Sequence, residues 1–328
     1  MMKILFYGFR HGHINTLYQK VMESPLACVA GCVEENAEAR ENAIKKLGAA
    51  FSDRSYEEWL STDIDAVAIG GAYGDRGEAV IRALEAGKHI LADKPLCTDV
   101  RQLERIRALS REKNLKVFCM LDLRDLPQVT AAKNILDGGS LGEVRNVSFN
   151  GQHCLNYGSR PGWYFEPGKH GGTVNDLAIH GIDLVRMLTG MEFTSADAVR
   201  TWNAYAHLHP DFKDCALLMA RLENGAGVLA DISYSAPSQA FSMPSYWEFR
   251  IWCDRGMLTF NYRDAFVTVF EEGADAPARV EGIPAPMDYL ERFVAEVNAP
   301  AERSETESVL RSTETALWLQ QQAEEARA

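Results

Sequence analysis

The sequence lacks the features that mark membrane, secreted and disulfide-rich proteins. No stretch approaches about 18 uninterrupted apolar residues, the length of a membrane-spanning helix. The N-terminal residues run directly into a strand pattern, which is not the pattern of a secretory signal. The seven cysteines form no Cys-x-x-Cys pair, and several lie in apolar runs where cysteine packs as a small hydrophobe. We therefore expect a cytoplasmic protein without structural disulfides and without a membrane anchor.

Positive charge and metal-ligand spacings are also scarce. Lys and Arg number 34 against 46 Asp and Glu, and the net charge of −12 argues against nucleic-acid binding. His207 and His209, and the adjacent His153 and Cys154, offer no third ligand at a recognisable spacing, so we predict no catalytic metal. The rest is an ordinary globular composition, 46% hydrophobic and 24% charged, in 328 residues. This length predicts about two domains.

Residues 1–122 alternate short apolar runs with helical patterns. The runs "KILFYG", "LACVAGCV", "DAVAIGG", "HILAD" and "KVFCML" are apolar throughout, which is typical of strands covered on both faces. Helical segments of ten to sixteen residues separate most of them. The pattern predicts an α/β domain with a doubly wound, Rossmann-like parallel sheet.

Residues 123–328 show a different pattern. A helix ending at Gly190 is followed by several strand-like segments, and Glu223-Asn224-Gly225 is a hairpin signal between two of them. Two closing helices are predicted near Asp288–Val297 and Thr306–Glu325. Consecutive hairpin-linked strands predict an α+β domain with a large, mostly antiparallel open sheet.

The turn after the first strand is a candidate phosphate loop. It reads Gly8-Phe9-Arg10-His11-Gly12-His13, so Arg10 and His13 stand where a dinucleotide fingerprint has its second and third glycines. The alternative is a plain β-to-α turn. The predicted coenzyme contacts in and beside this turn are Gly8, Phe9, Arg10, His13, Gly70 and Gly71.

Two acids follow the second strand. Glu34 and Glu35 stand where a carboxylate accepts hydrogen bonds from the adenosine ribose and repels a 2′-phosphate. The alternative is a pair of solvated acids at the start of the next helix. As coenzyme contacts, they favour NAD over NADP.

The fourth predicted strand of the sheet ends at Asp93-Lys94-Pro95, at the sheet edge where ligands bind in open α/β folds. An ammonium at this edge can polarise a carbonyl or stabilise an alkoxide. Pro95 favours an extended Lys94 and permits a cis bond. The alternative is a surface lysine in a turn.

Asp176, His180 and Asp183 have helical spacing and share one helix face. A histidine beside a carboxylate titrates near neutrality and can serve as general acid or base. The alternative is an exposed face bearing an ion pair. In the loop before this helix, Tyr157, Arg160, Trp163 and Tyr164 are candidates to line a sugar-like substrate, or else belong to a surface loop that caps the sheet.

Four segments of the sequence together resemble the Gfo/Idh/MocA family (glucose–fructose oxidoreductase and inositol dehydrogenase). "EAGKHILADKPL" is similar to its AGKHV-EKP signature, with Asp93 in place of Glu, and "GGTVNDLAIHGIDL" is similar to its Gly-Gly…Asp…His…Asp helix. "LRDLP" and "GSLGEV" resemble further segments, so the likeness spans essentially the whole chain. Arg76 departs from it, since the family often has a histidine there.

The resemblance implies a nicotinamide coenzyme, NAD or NADP, contacted also by Arg76, Asp93 and Lys94. It implies that Lys94 and His180 lie at the reacting carbon, and that Asp176 binds substrate or orients the histidine. Arg124 matches an arginine at the domain junction, so we predict that it contacts substrate, with Tyr157, Trp163 and Tyr164. It also implies a homodimer or homotetramer that pairs through the second-domain sheet.

The predicted function is hydride transfer between NAD(P) and a hydroxyl-bearing carbon of a sugar, polyol or related small molecule. Two alternatives remain. One is an enzyme that uses NAD transiently to cleave glycosides. The other is a sensor without catalysis, suggested by the altered phosphate loop.

Overall fold

The computed structural model describes residues 1–325 and contains two compact units. The first unit comprises Met1–Met120, Pro161–Gly171 and Met287–Glu314. The second comprises Leu121–Arg160, Gly172–Pro286 and the chain from Thr315 onward. Residues 161–171 and 287–314, which lie beyond the predicted boundary at 122, thus belong to the first unit.

The first unit is built on a five-stranded parallel sheet. Its strands are β1 (Met2–Tyr7), β2 (Ala27–Val33), β3 (Ala66–Ile69), β4 (His89–Ala92) and β5 (Val117–Cys119), in the order β2-β1-β3-β4-β5. Phe51 forms one isolated parallel bridge with Cys32 of β2. Phe51 thus lies where a further edge strand of the sheet would lie. The predicted Rossmann-like sheet is therefore confirmed.

Six helices of the first unit connect or cover these strands. They are α1 (His13–Glu23), α2 (Ala37–Leu47), α3 (Tyr56–Leu60), α4 (Tyr73–Glu85), α5 (Val100–Glu112) and α8 (Tyr289–Asn298). Local sequence sets several starts: Asn36 caps α2, a Ser55–Glu58 capping box opens α3, and Asp99 caps α5. Leu290 and Phe293 of α8 join the apolar core of the first unit, together with Phe6 and Phe118.

The second unit contains an eight-stranded sheet in which all but one pairing is antiparallel. Its strands are β6 (Val144–Cys154), β7 (Phe193–Trp202), β8 (Cys215–Leu222), β9 (Gly227–Ala236), β10 (Glu248–Cys253), β11 (Gly256–Asn261), β12 (Phe266–Glu271) and β13 (Ala278–Glu281). The order is β13-β12-β11-β10-β6-β9-β8-β7, and β6 pairs with β9 in parallel. The mostly antiparallel sheet and the β8–β9 hairpin are as predicted.

Helices α6 (Pro127–Asp137) and α7 (Ile179–Thr189) belong to the second unit, and α9 spans Ser304–Glu325. One π-helical turn, Val174–Ala178, leads into α7, which ends at the left-handed Gly190 as predicted. Gly181 lets α7 lie directly on β6, because a Cβ there would come within 2.1 Å of the Phe149 ring. This close approach fixes the depth of α7 against the sheet.

Within residues 1–325, no helix combines the length and apolar character needed to cross a bilayer. All seven cysteines are free thiols: Cys28, Cys32, Cys97, Cys119, Cys154, Cys215 and Cys253.

Candidate active site

The turn between β1 and α1 is drawn tightly against the end of β3. Gly8 has a φ of +85°, and a Cβ at this position would lie 2.5 Å from the amide nitrogen of Gly71. The amide of Arg10 donates to the carbonyl of Gly70 at 3.0 Å. Gly12 has no side chain to cap α1, so the start of the helix stays open to an anion.

Both acids that follow β2 lie beside this turn. The carboxylate of Glu34 accepts hydrogen bonds from the amides of Phe9, at 2.5 Å, and Asn36, at 2.8 Å. Glu35 accepts one from the hydroxyl of Tyr7 at 3.3 Å. Glu34 thus also fixes the phosphate loop, a role that the sequence did not reveal, and each oxygen retains a lone pair for a ribose hydroxyl.

A crevice opens between these groups. Its lining includes Gly8, Arg10, Glu34, Glu35, Gly71 and Arg76. A glycine turn, an uncapped helix start and two carboxylates are what the pyrophosphate and ribose of NAD require. The residues therefore fit this coenzyme.

Asp93, at the tip of β4, is the centre of a buried polar network. Its Oδ2 accepts hydrogen bonds from the Arg76 guanidinium at 2.9 Å and from Nδ1 of His11 at 2.6 Å. Nδ1 of His13 lies 3.4 Å from Oδ1. The carboxylate thereby joins the phosphate loop to helix α4.

Burial and charge act in opposite directions on these groups. Burial alone would raise the pKa of Asp93, but the guanidinium of Arg76 and the imidazole of His11 outweigh it and hold the pKa well below its usual range. Burial lowers the pKa of His11 to about 4, although the attraction of Asp93 opposes this. At neutral pH, a neutral His11 therefore donates its Nδ1–H to an ionised Asp93.

His11, His13 and Asp93 also have the donor types of a metal site, with ligand atoms within 4.8 Å of one another. Arg76 already donates to the same carboxylate, and the charge of Lys94 acts on His11. A divalent cation would be repelled by both, so we assign the three side chains to a hydrogen-bonded network. The absence of a catalytic metal stays a prediction.

Lys94 is buried and follows Asp93 directly, with the Lys94–Pro95 bond in the cis form that the sequence permits. Its Nζ lies 5.8 Å from the centre of the Tyr73 ring, within the range of a cation–π contact. The alternative of an exposed lysine in a turn is therefore wrong.

Residues 161–171 pack on the same edge of the first unit. The indole Nε1 of Trp163 donates to the carbonyl of Arg10 at 3.3 Å, and the hydroxyls of Tyr164 and Tyr73 are 2.8 Å apart. Trp163 and Tyr164 are both buried, so for these two side chains the alternative of a surface loop is wrong. Their contact with substrate stays a prediction.

The second unit holds the candidate acid–base groups. Asp176, His180 and Asp183 are 1%, 4% and 1% exposed, so the alternative of a solvated ion-pair face is wrong. The reason is that the helix is buried on all sides and its polar groups find internal partners.

Each of the three has a different neighbour. Asp176 accepts a hydrogen bond from the hydroxyl of Tyr234 on β9. Asp183 forms a two-pronged ion pair with Arg124, whose Nε donates at 2.6 Å. The Arg124 guanidinium is thus largely engaged by protein, and its predicted contact with substrate stays a prediction.

His180 has a carboxylate and an indole beside it. Its Nδ1 lies 4.0 Å from Oδ1 of Asp122, and its ring meets that of Trp247 edge to face at 5.6 Å between centres. Asp122 is the more exposed partner, at 45% of its side chain. This arrangement gives the imidazole a nearby anion and an apolar wall, which suits proton transfer.

The outer loop residues lie in the second unit as well. The hydroxyl of Tyr157 accepts a hydrogen bond from the amide of Leu208 at 3.1 Å, and the ring is 40% exposed. Arg160 donates to two main-chain carbonyls and lies over the ring of Tyr234. Both side chains therefore help to order the loop, and Tyr157 is also exposed.

Five neighbours of these groups were not predicted from the sequence. They are His11, Tyr73, Asp122, Tyr234 and Trp247. His11 lay inside the recognised loop and Asp122 two residues before Arg124, so position alone could have nominated them. Tyr73, Tyr234 and Trp247 reach the predicted residues of their own units through tertiary contacts, for which the local sequence has no signal.

Two family profiles match the chain. Residues 2–121 match one described as an oxidoreductase family with an NAD-binding Rossmann fold, and residues 129–259 match the Gfo/Idh/MocA C-terminal domain. The chain therefore belongs to the Gfo/Idh/MocA family of NAD-binding oxidoreductases, as its motifs predicted.

Relatives with named activities include two dehydrogenases. The levoglucosan dehydrogenase of Pseudarthrobacter phenanthrenivorans is 28% identical over 268 residues, which are 72% of this chain and 66% of that protein. The scyllo-inositol 2-dehydrogenase (NAD(+)) of Bacillus subtilis is 30% identical over 233 residues, 69% of this chain and 64% of that protein. The chain thus matches slightly less than two thirds of the length of each relative.

Among solved structures, a levoglucosan dehydrogenase in complex with NADH has the same fold. The TM-score is 0.81 at 20% identity, covering 99% of this chain and 97% of that chain.

The low pKa of His11 predicts a pH dependence of stability. Its pKa is lower in the folded protein than in the unfolded chain, so its stabilising contribution is complete above about pH 6.5 and is lost as the pH falls towards 4. The full loss for one such group is about 3 kcal/mol. Replacing His11 by Asn should flatten the fall in the free energy of unfolding between these pH values, measured by urea titration.

Burial also lowers the pKa of His89 to about 4. His89 therefore contributes equally to the pH dependence of the wild type and of His11→Asn. His207→Asn, at an exposed position, is the control and should keep the wild-type slope. Parallel curves for the wild type and His11→Asn would show that His11 does not titrate as described.

Proposed function

We propose that the protein is an NAD-dependent dehydrogenase or reductase acting on a hydroxyl-bearing carbon of a sugar or polyol. The observation that carries the proposal is the edge of the parallel sheet, where a crevice with two carboxylates is also lined by Arg76, which binds the main chain of the buried Lys94. The relatives named for levoglucosan and scyllo-inositol support a polyhydroxylated substrate.

The coenzyme we propose is NAD in preference to NADP. Gly8, Phe9, Arg10 and the start of α1 would hold the pyrophosphate, and Glu34 and Glu35 would accept the ribose hydroxyls. A 2′-phosphate would bring two further negative charges to a wall that already has two carboxylates.

The acid–base roles fall to residues that the chain keeps buried. Bound NAD would supply the hydride acceptor in the oxidative direction. His180 takes the hydroxyl proton, and Asp122 favours the resulting imidazolium through its charge. Lys94 stabilises the developing alkoxide. Asp176, held by Tyr234, is proposed to receive a neighbouring hydroxyl of the substrate.

A cytoplasmic location is part of the proposal. The seven free thiols support it, because a reducing compartment keeps cysteines in that state.

Replacing Lys94 or His180 by Ala should lower NAD-linked turnover. We expect a fall of about 100-fold or more in kcat for each, because each removes charge stabilisation or proton transfer at the reacting oxygen. Initial rates at 340 nm on a panel of sugars and polyols measure this. Lys45→Ala and His207→Asn, both at exposed positions, are the matched controls.

Two outcomes would contradict the proposed function. Undiminished turnover in both variants would remove the mechanism. Release of sugar from a glycoside with no net change in absorbance would favour the transient use of NAD in glycoside cleavage.

Coenzyme choice tests the role of the acids. The wild type should bind NADH more tightly than NADPH, and Glu35→Gln should strengthen NADPH binding about tenfold by removing one repelling charge. Glu34→Gln should weaken both coenzymes, because Glu34 also holds the Phe9 amide. Fluorescence titration gives the Kd values. Glu38→Gln makes the same change of charge at an exposed position of α2 and should leave both Kd values unchanged. If Glu38→Gln and Glu35→Gln had equal effects on NADPH binding, the assignment of Glu35 would be refuted.

We also propose that the chain forms a homodimer or homotetramer through its large sheet. Strands β8 and β9 alternate buried and exposed residues, yet the outward positions include Leu217, Met219 and Leu229. Met219 and Leu229 are direct cross-strand partners at 48% and 52% exposure. Apolar side chains grouped in this way on an open sheet support pairing with a second copy.

Sedimentation velocity tests the assembly. The wild type should sediment as a dimer or tetramer at micromolar concentration, and Met219→Glu combined with Leu229→Glu should produce monomers. Ile44→Glu, at an exposed apolar site on α2, should retain the assembly. A monomeric wild type would contradict this part of the proposal.

A further inference from the structure

One arginine binds the ends of two neighbouring strands of the parallel sheet. Arg76, on α4, is fully buried. Its Nε donates to the carbonyl of Gly71, just beyond β3, at 2.8 Å. Its Nη1 donates to the carbonyls of Lys94 and of Pro95, the latter at 3.2 Å, and its Nη2 donates to Asp93 at 2.9 Å. The guanidinium therefore holds the Asp93 side chain, which precedes Lys94, and the main-chain carbonyls of Lys94 and Pro95.

Only an arginine can make this set of contacts. Its planar group presents donors in a fixed fork, whereas a lysine has a single ammonium that cannot reach carbonyls on two strand ends at once. A buried cation is also costly unless it is paired, and Asp93 supplies the opposite charge. The surroundings of residue 76 thus match a guanidinium, although the Gfo/Idh/MocA family often has a histidine at this position.

Arg76 and Lys94 also share an aromatic neighbour. The Arg76 Cζ lies 4.6 Å and the Lys94 Nζ 5.8 Å from the centre of the Tyr73 ring. The hydroxyl of Tyr73 is in turn paired with that of Tyr164 at 2.8 Å. A displaced guanidinium would therefore disturb both the main chain that bears Lys94 and the ring beside its ammonium.

We propose that Arg76 is the positioning residue for Lys94. Its buried guanidinium fixes the turn from which the lysine reaches the reacting oxygen. The inference rests on the proposed function for its catalytic consequence, but the geometric claim is independent of it. Arg76 touches the main chain of Lys94, and its effect on turnover is exerted through that residue.

The first test is a double-mutant cycle. Arg76→Lys should lower kcat about 100-fold, the size expected for misplacing a reacting group by about 1 Å. The Kd of NADH should change much less than kcat, although Arg76 also lines the coenzyme crevice. In a Lys94→Ala background, the same substitution should cost less than about threefold in a single-turnover measurement, because the group that it positions is gone. Equal losses in both backgrounds would overturn the proposal.

Two further variants keep the test independent of folding. Arg76→Gly should regain part of its kcat when guanidinium ions are added, whereas a general loss of structure would not be rescued in this way. Arg107→Lys breaks a two-pronged arginine pair with Glu314 elsewhere in the same unit and should leave kcat unchanged. A failure of guanidinium to restore Arg76→Gly would count against the proposal.

Chemical labelling separates this inference from the proposed function. The rate at which an amine-reactive reagent modifies Lys94, followed by peptide mass spectrometry, needs no turnover. It should rise about tenfold in Arg76→Lys, because the turn loses charged hydrogen bonds. An unchanged labelling rate would overturn the positioning role. A wild type without NAD-linked turnover, but with the predicted change in labelling, would refute only the proposed function.

Discussion

A buried guanidinium and a buried carboxylate, those of Arg76 and Asp93, hold the carboxyl edge of the parallel sheet in the form that the coenzyme half of the site requires. Removing either partner would leave an uncompensated charge in the interior, at a cost of about 3–5 kcal/mol. The pair also transmits geometry. Through Asp93 it meets His11 in the phosphate loop, and through main-chain carbonyls it fixes the turn that bears Lys94. The contacts that compensate the buried charges of Arg76 and Asp93 are therefore also the contacts that hold the site.

The second unit also buries charged side chains, which are compensated by a different set of partners. Its central helix is buried on every side and still contains two aspartates and a histidine. Asp183 is neutralised by Arg124, and Asp176 accepts the phenol of Tyr234. His180 has a partly exposed carboxylate near one nitrogen and an indole beside its ring. A nearby carboxylate and an apolar wall are surroundings that suit an acid–base residue.

Local sequence predicted most of the fold, because its signals are short-range. Apolar runs separated by helices determined the parallel sheet, and the Asn224-Gly225 turn located the β8–β9 hairpin. Strand β13 was not predicted, since Ala278–Glu281 is polar and lies near prolines. The π-helical turn before α7 also went unseen, because it depends on how the helix packs rather than on its spacing.

The site was only partly predictable for the same reason. Lys94, His180 and the two acids after β2 lie at strand ends or in recognisable motifs. The partners that define their chemistry are distant in sequence: His11 lies 82 residues from Asp93, and Tyr234 lies 58 residues from Asp176. Trp163 and Tyr164 illustrate the limit well. Their aromatic character suggested a binding loop, but their burial within the first unit could not be predicted from the local sequence.

We propose that the carboxyl edge of the parallel sheet binds NAD. Native mass spectrometry of the purified protein, before and after addition of NAD and NADP, tests it most directly. The protein should gain the mass of one NAD per subunit and should gain NADP less readily. A chain that remains free of both nucleotides at saturating concentration would contradict it.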